Sequence, residues 1–510
     1  MKTPLLPFQY INGENSCSLT SFAGLPLYTE MAIASGLFTA IEKELQSKIR
    51  GWKDLQVIMS LILLNIAGGD CVDDIERFES DRGLSNLILE IDTHGMNRQQ
   101  RRAYERRWRK GKTRAFPSAS VIRRYLEQFH NEEEEKCRKK GIAFIPAHNE
   151  LLQSLINVQC SLINCAQKNN DSDVATLDQD ATLSATHKRT ALYCYEKHKA
   201  YQPFNTYWAE HGLLLHSEFR DGNVPAGFEQ LRVLQESLQR LPLGIKKVFI
   251  RSDSAGCQKD ILRYSARGDD ERFGIIEFAI AIKISQAFKK AVSLVDDAAW
   301  NPIYKEVDGM RIKTNQEWAE VCFVPNWAAC CKNEPDYRHI AIREKLKKQP
   351  ELDGIEPIQQ ELPFPTIHIN QAQYKLFGMV TNRTLPGNEL INWHRERCGH
   401  SEKAHSIEKS DLAGGKFPSN KFGANAAWWQ IMVLAFNLNS LMKTLIMPKH
   451  MKTKRLKALR FNVISIAGRF IQHARGLFIK VDGKNKTANL FNQIRRGIYQ
   501  LMNAPPLEAI

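Results

Sequence analysis

Three carboxylates lie where an apolar run ends or a charged helix begins. They are Asp180 in VATLDQDAT, Asp253 in KKVFIRSDSAG and Glu402 in HRERCGHSEKAHSIEK. The first two follow apolar runs typical of buried strands, and the third lies in a Lys/Glu/His-rich segment that predicts a helix. Strand ends and an adjoining helix can bring such residues together in space. Because hard oxygen ligands select Mg²⁺ or Mn²⁺, the pattern predicts one metal site.

Two alternatives apply to the acids at the strand ends. Asp178 precedes Asp180 by two residues, so both side chains project from the same face of an extended strand. Asp178 is therefore an alternative ligand. Either acid could instead accept hydrogen bonds from backbone amides at the strand end, which would be a structural role.

Apolar spacing divides the chain into five segments. Helical spacing through YTEMAIASGLFTAIEKEL and LQVIMSLILLNIAGG predicts a helical N-terminal domain over residues 1–150. Over 170–285, strand patterns alternate with helix patterns, which predicts a partly parallel sheet flanked by helices. Short β-like pieces separated by Pro and Asn predict a β-rich insertion over 286–385. Helix is expected to resume at Glu389, with Glu402 in segment 386–440 and a basic segment at 441–510.

Within these segments, individual elements can be predicted. The strands are VATLDQD, TALYCYE, LLLHSEFR, KKVFIRSD and IEFAIAIK. The helix FEQLRVLQESLQRL precedes KKVFIRSD, and a helix around CQKDILRYSARG precedes IEFAIAIK. SASVIRRYLEQFHNEEEEKCRKK predicts one helix with Ser118 as its N-cap. Its acidic run is better explained as a solvated helix face than as a site.

The positive charge is concentrated in two windows. The chain has a net charge of +15; residues 97–114 hold nine Lys/Arg against Glu105, and residues 442–460 hold seven and no acid. A charge run is often only a solvated surface. In the second window, however, apolar residues at regular spacing separate the cations, which indicates folded structure. Localised positive potential of this kind suits nucleic acid.

The helix predicted around Glu402 carries cations at regular intervals. Arg395, Glu402 and Lys409 are seven residues apart, so in an α-helix they return to within roughly 20° of one another. The stripe could be a structural ladder of ion pairs. In a DNA-processing enzyme it would instead place a metal ligand between two phosphate-binding cations.

The motifs LDQDAT, HKAYQPF…EFRDGNVPAG, IRSDSAG and CGHSE…IEKSDL…FGANAAWW occur in this order along the chain. Together they resemble bacterial insertion-sequence DDE transposases, in a branch with an RNase H-like catalytic core and a β-rich insertion. The resemblance implies an α/β fold in which a mixed sheet flanked by helices carries the site. Asp180, followed by Ala181 and Thr182, matches the first acid of the family and is favoured over Asp178 for that reason.

The resemblance also assigns the remaining site residues. Asp253 matches the second acid, and Glu402 matches the glutamate that a lysine follows seven residues later, here Lys409. The wider signature has an arginine four residues before the glutamate and a tyrosine three before that. This chain has Cys398 and Arg395 at those positions, with Arg397 displaced by one. Arg395 and Arg397 therefore remain alternatives for the phosphate contact.

The implied function is a DNA transposase that binds the ends of a mobile element, cleaves the strands there and joins them to target DNA. Two Mg²⁺ ions, for which Mn²⁺ can substitute, would be held by the three acids, with Asp180 bridging both. Lys409 would orient a phosphate. The expected partners are double-stranded DNA, at the inverted-repeat ends and the target, and a second copy in a homodimer. Further DNA contacts are expected from the two basic windows, at Arg101, Arg102, Arg106, Arg107, Lys454 and Arg455.

Two other functions fit the same residues. One is a metal-dependent DNA nuclease without strand transfer, and the other is a DNA-binding regulator whose core has lost catalysis, against which the three intact acids count. Neither requires a membrane. The N-terminus MKTPLLPFQY lacks the apolar core of a signal peptide, and the apolar runs near 57–67 and 431–442 are short and interrupted, so we expect a cytoplasmic, nucleoid-associated protein.

Tryptophans supply the candidates for stacking on an unpaired base. Trp300, Trp318 and Trp327 lie in the expected insertion, where such contacts are plausible in principle. Core packing is the commoner role of a tryptophan. Trp428 and Trp429 are expected to pack within a helix bundle.

Overall fold

A computed structural model describes residues 18–47, 51–93, 96–106, 113–307, 309–329, 334–346, 362–370, 372–473, 476–481 and 486–503. A short strand, β1 (Leu19–Thr20), is followed by a region built from helices. These are α1 (Leu25–Ala34), α2 (Leu37–Glu44), α3 (Asp54–Ala67), α4 (Ile75–Ser80), α5 (Arg82–Thr93), α6 (Arg98–Glu105), α7 (Ala119–Glu127), α8 (Glu132–Cys137) and α9 (Glu150–Asn169).

The helix expected over residues 118–140 is two helices. α7 ends at Glu127, and the Asn131 side chain accepts hydrogen bonds from the backbone amides of Glu133 and Glu134 to begin α8. Asparagine is a preferred N-cap because its side-chain oxygen satisfies amides that have no partner within the helix. Ser118 precedes α7, as expected, but its hydroxyl contacts Ser120 instead of capping the backbone.

The central sheet has ten strands and is mixed. Five strands and two helices between them form its first half: β2 (Val174–Ala181), β5 (Phe204–Trp208), β6 (Leu213–Glu218), α10 (Gln230–Gln239), β7 (Lys247–Ser252), α11 (Lys259–Arg267) and β8 (Glu277–Ala281). A two-stranded hairpin of β3 (Ser184–Ala185) and β4 (Ala200–Tyr201) stands between β2 and β5. The order is β6-β5-β2-β7-β8, with β2, β7 and β8 parallel and β5 and β6 antiparallel to their neighbours. Crossover helices α10 and α11 make the parallel pairing possible.

The strands of 286–385 extend this same sheet. They are β9 (Asn301–Val307), β10 (Met310–Glu320), β11 (Arg338–Lys345), β12 (Thr366–Ile369) and β13 (Ala372–Thr381), with helices α12 (Gln286–Ser293) and α13 (Asn326–Ala329). β13 pairs antiparallel with β8, and β11, β10 and β9 follow in order. This pairing makes the β-rich region and the core one continuous sheet.

The last part of the chain returns to the helical region. It comprises α14 (Gly387–Ser406), α15 (Phe422–Leu441), α16 (Lys449–Lys452), α17 (Leu456–Leu459), β14 (Gly468–His473), β15 (Gly476–Val481) and α18 (Lys486–Asn503). Helix resumes at Gly387, close to the expected Glu389, and β14 and β15 interrupt it with a hairpin whose first strand pairs with β1. Residues near the two ends of the chain thus share one small sheet.

Helix α15 is the core element that joins the helices to the sheet. It is apolar around its whole circumference, as a helix must be when it is buried on every side. Two of its polar residues contact the edge strand β6: the Asn437 side chain bonds to the backbone of Leu214, and Gln430 donates to the carbonyl of Ser217. These contacts also satisfy backbone groups at the edge of the sheet.

No single helix among the described residues has the length and apolar composition that a bilayer span requires. One pair, Asp54–Ala67 with Val72–Ser80, reaches them only together and is bent by 96° at its break.

Candidate active site

Asp180 and Asp253 lie side by side at one edge of the sheet. β2 and β7 are parallel neighbours, and the register pairs Gln179 with Ser252. The next residues along the two strands are the two aspartates. Burial raises the pKa of Asp180 to about 6; the ion pair with Arg397 opposes this rise and the charge of Asp253 adds to it. The predicted convergence of these two acids is therefore present in the fold.

Backbone amides contact one oxygen of each aspartate. Asp253 caps a short 3-10 turn by accepting from the amide of Ala255 at 2.9 Å, and the Asp180 Oδ1 accepts from the amide of Ala181 at 2.9 Å. Both contacts fix the carboxylates at the ends of their strands. The structural role considered for Asp180 is thus present. Among the residues that the structure describes, the hydrogen bond to Ala255 engages one oxygen of Asp253 and leaves the other without a partner.

Two arginines, Arg397 and Arg251, hold helix α14 across the strands at this edge. Arg397 Nη1 lies 3.0 Å from Asp180 Oδ2. Arg251 of β7 donates from Nε and Nη2 to the two oxygens of Asp178, at 2.6 and 2.9 Å, and from Nη1 to the carbonyl of Trp393 on α14. Both Asp178 oxygens are therefore engaged in a buried structural pair, which supports Asp180 as the functional acid of this strand.

A third acid faces Asp180, and it is Glu408. Its side chain is fully buried just beyond α14, in the π-helical turn Ile407–Asp411, where Asn205 donates to its Oε1 at 2.9 Å. Asn205 is the direct cross-strand partner of Asp180 on β5. Burial raises the pKa of Glu408 to about 8, with the charge of Asp180 adding to the rise. At neutral pH the carboxyl is accordingly mostly protonated.

The network that holds Glu408 continues into the core. Asn205 Oδ1 accepts from the hydroxyl of Ser217 at 2.6 Å, and Ser217 Oγ accepts from the indole nitrogen of Trp429 at 2.7 Å. A fully connected buried network of this kind fixes its members in one geometry. The position of Glu408 is thus set by α15 and the edge strands as well as by its own helix.

Glu402 lies elsewhere on α14. Its side chain is exposed. The charged groups that interact with Asp180 among the described residues are Arg397, Asp253, Glu408 and Lys409. Helix geometry explains the difference. Glu408 follows Arg397 by eleven residues, about three turns, whereas Glu402 follows it by five and points roughly 140° away.

The three predicted cations near the glutamate have different environments. Arg395 is half-buried and donates to Gln316 of β10 at 2.6 Å, so it faces the β-rich part of the sheet. Arg397 contacts Asp180, which places it, of the two alternatives, at the site. Lys409 lies beside Glu408 with much of its side chain exposed. The part that the protein shields from water lowers the pKa of the ammonium group, whose charge interacts with Asp180. The stripe through 395, 402 and 409 is interrupted because α-helix gives way to the π-helical turn after Ser406.

As they stand, no three His, Cys, Asp or Glu side chains within the described ranges are grouped closely enough to hold a metal ion. Asp180 and Asp253 supply hard oxygen atoms of the kind that Mg²⁺ prefers. Arg397 occupies the oxygen of Asp180 that an ion would take. The donor chemistry fits such an ion, and the third ligand requires a rearrangement.

A family model described as Transposase DDE domain group 1 matches residues 12–503. The chain belongs to this transposase family. The match spans the helical region, the sheet with its β-rich extension and the returning C-terminal part, so family membership applies to the described fold as a whole.

Two further comparisons complete the picture. A solved structure described as piggyBac transposase synaptic complex with hairpin DNA is similar at a TM-score of 0.39 and 10% identity, covering 96% of this chain and 81% of that chain. No curated protein matches.

The basic residues expected to bind DNA in this transposase family member are mostly on the surface. Arg101 and Arg102 on α6, and Arg106 at its end, are exposed, whereas Arg107 lies outside the described residues. Lys454 is half-buried. Arg455 is exposed but pairs with Asp411 at 2.7 Å, so part of its charge is already neutralised.

The tryptophans divide as core and surface residues. Trp428 and Trp429 are fully buried, as expected, and Trp300 is also buried. Trp318 packs against the backbone of Gly387 at the start of α14. A Cβ atom added to this glycine would lie 2.2 Å from the Trp318 ring. Trp327 lines an open cavity of about 540 Å³ whose wall also includes Ser254, the residue after Asp253.

Proposed function

We propose that this protein is a DNA transposase that binds the ends of a mobile element, cuts the strands there and joins them to target DNA. The observation that carries the proposal is the pair Asp180 and Asp253 at the ends of adjacent parallel strands, in a chain of the DDE transposase family. The core would be RNase H-like. The mixed order β6-β5-β2-β7-β8, with helices between its parallel strands, supports that assignment.

The chain's own residues would bind and orient the DNA backbone. Lys409 projects from the rim of the site and would contact a phosphate next to the bond that is cut. Arg397 would exchange its ion pair with Asp180 for a second phosphate contact, because a guanidinium binds both groups with the same planar fork. This exchange would free the Oδ2 atom of Asp180 to bind a metal ion.

The proposed cofactor is a pair of Mg²⁺ ions, for which Mn²⁺ can substitute. Asp180 and Asp253 would hold them, with a third carboxylate from Glu402, as the resemblance implies, or from Glu408, as its position implies. When bound, such ions activate the attacking hydroxyl and stabilise the leaving oxygen. Glu408 would have to lose its proton, which a nearby cation favours.

Duplex DNA would reach the site across positively charged surface. The exposed arginines of α6 and the basic segment after α15 offer phosphate contacts, which would make binding strongly dependent on salt. A homodimer would hold the two element ends together. Its existence is measured by light scattering with and without end DNA.

The decisive experiment uses Mg²⁺ and a duplex carrying the inverted repeat that flanks the reading frame. Strand-transfer product supports the transposase, cleavage alone supports a nuclease, and binding alone supports a regulator. Asp253→Asn should abolish cleavage and preserve binding, while Asp269→Asn, at an exposed position, should leave both unchanged. Normal Mg²⁺-dependent cleavage by Asp253→Asn would refute the proposed site.

The third carboxylate is identified by a pair of matched variants. Glu402→Gln and Glu408→Gln each replace one carboxyl by an amide of nearly the same shape, at neighbouring positions of the same segment. The variant that loses cleavage while keeping DNA binding marks the ligand. Full activity of both variants would remove the three-acid site from the proposal.

A further inference from the structure

A basic hairpin stands beside the site, and nothing in the proposed chemistry uses it. Residues 186–199, here named the basic hairpin, connect β3 to β4 directly after the strand that carries Asp180. They contain four Lys/Arg and two His against a single acid, Glu196. The sequence TALYCYE was expected to be a strand, but it forms turns with one isolated bridge, between Tyr193 and Lys199.

The tip of the basic hairpin lies at the rim of the site. Lys409 interacts electrostatically with Glu196 of the hairpin and with Asp180. The other end of the hairpin is tied to the segment before α15: the Arg189 amide donates to the Asn420 side chain at 3.1 Å, and the Thr190 hydroxyl contacts the Asn420 carbonyl. The hairpin therefore lies between Lys409, which interacts with Asp180, and the segment before α15.

The basic hairpin has a fixed shape. At its tip the Cys194 amide bonds to the His198 carbonyl at 2.9 Å, and the Lys197 amide bonds back to the Cys194 carbonyl at 3.0 Å. Lys197 takes the left-handed conformation, with φ 63°, that closes this turn. Arg138 donates to the Thr190 carbonyl at 3.0 Å from the helical region. Side chains on this turn are thus presented in a defined orientation.

Two aromatic rings and several cations point outward from this rigid turn. Tyr195 is 74% exposed and Tyr193 is 51% exposed, an arrangement that contributes little to the core. Lys199 lies 5.9 Å from the centre of the Tyr193 ring. Arg189 and Lys197 are exposed and form no ion pair with any residue that the structure describes.

Exposed rings interleaved with unpaired cations fit one class of partner. Single-stranded nucleic acid is bound by aromatic faces on which bases stack, together with cations that contact the backbone between them. A duplex offers its phosphates but keeps its bases stacked inside. Cutting DNA at this edge would produce an unpaired end within reach of the hairpin.

We propose that the basic hairpin binds unpaired DNA next to the cut, with Tyr195 stacked on a base and Arg189 and Lys197 on the flanking phosphates. This proposal rests on the proposed function and adds a positioning surface to it. It predicts that the hairpin distinguishes unpaired from paired DNA, which phosphate contacts alone would not do.

The test measures binding by fluorescence anisotropy without divalent metal, so that it is independent of cleavage. The probe is a fluorescein-labelled oligothymidine of about 20 nucleotides, longer than the roughly 4 to 16 that one binding surface covers, with a duplex of equal length for comparison. Tyr195→Ala should weaken oligothymidine binding about tenfold and duplex binding much less, because loss of one stacked base has that order of effect. Tyr195→Phe keeps the ring and should bind as the wild type does.

The charges are tested separately through salt dependence. Arg189→Ala and Lys197→Ala should each lower the slope of log affinity against log salt by about 0.7 on the single strand. Lys43→Ala, which removes an 80% exposed lysine from α2, is the matched control and should leave the slope unchanged. Thermal unfolding of each variant verifies that the exposed substitutions leave the fold intact.

The outcomes separate this proposal from the one it rests on. If the wild type cleaves end DNA but Tyr195→Ala binds oligothymidine as tightly as the wild type, the hairpin proposal is overturned and the transposase stands. Equal losses in Tyr195→Ala and Tyr195→Phe would also overturn it, since the hydroxyl and not the ring would then matter. A wild type that neither binds nor cleaves DNA overturns both proposals.

Discussion

Replacing Glu408 by Gln should remove a pH-dependent part of the protein's stability. The pKa of the Glu408 carboxyl is raised from 4.5 to about 8, mainly by burial. Such a carboxyl holds its proton more tightly in the folded than in the unfolded state. Its contribution to stability is therefore complete below the pKa of the unfolded chain and is lost as pH rises through about 8.

The magnitude follows from the size of this shift. Each pH unit over which only the folded state holds the proton changes the free energy of unfolding by ~1.36 kcal/mol. From roughly pH 6 to roughly pH 9 the wild type should accordingly lose about 3 kcal/mol through this group. Glutamine cannot ionise, and its side-chain oxygen can still accept from Asn205. The unfolding free energy of the wild type minus that of Glu408→Gln should therefore fall by about 3 kcal/mol over this pH range.

The assay is urea denaturation followed by tryptophan fluorescence at several pH values. Glu402→Gln is the control, because its exposed side chain on α14 should give the same pH profile as the wild type. Parallel profiles for wild type and Glu408→Gln would refute the reasoning, since they would show that Glu408 ionises normally in the folded protein.

Two further substitutions test the packing around the site. Arg251→Met removes the guanidinium that binds both oxygens of the buried Asp178 and should cost about 3–5 kcal/mol in urea denaturation; a loss below about 1 kcal/mol would contradict a strong buried ion pair. Gly423→Ala would place a Cβ 2.3 Å from the carbonyl oxygen of Phe129, so the melting temperature should fall by several degrees, corresponding to about 1–3 kcal/mol. Gly399→Ala on α14, whose Cβ meets nothing within 4 Å, should melt at or above the wild type, because alanine is favoured over glycine inside a helix by about 1 kcal/mol. Equal melting of both variants would contradict the close packing of α15.

The sequence by itself determined where the two aspartates would lie. Apolar strands ending in Asp180 and Asp253, with a helix before the second, predict a partly parallel sheet. In the structure these two strands are parallel neighbours, which end at the same edge of the sheet. Local pattern suffices here because both the strand and its end are encoded within a few residues. Family motifs added Lys409, which also lies at the rim.

Local sequence did not decide whether Glu402 or Glu408 lies near the two aspartates. Helical spacing from Lys409 led to Glu402, whereas spacing from Arg397 leads to Glu408, and one sequence contains both. The choice depends on which face of α14 lies against β2 and β5, and on the π-helical turn that follows it. The eleven-residue interval from Arg397 was the available signal, but nothing local indicates that Arg397 faces Asp180.

Other features required the tertiary structure because they depend on residues far apart in the chain. The β-rich region joins the core sheet through β13 and β8, about a hundred residues apart, and β1 pairs with β14 across more than four hundred. Within the basic hairpin, the segment TALYCYE has the composition of a strand but forms turns. Arg138 and Asn420, which lie far away in the sequence, bind this part of the hairpin. Composition fixed the charges and the strand ends, while the long-range contacts decided which side chains meet.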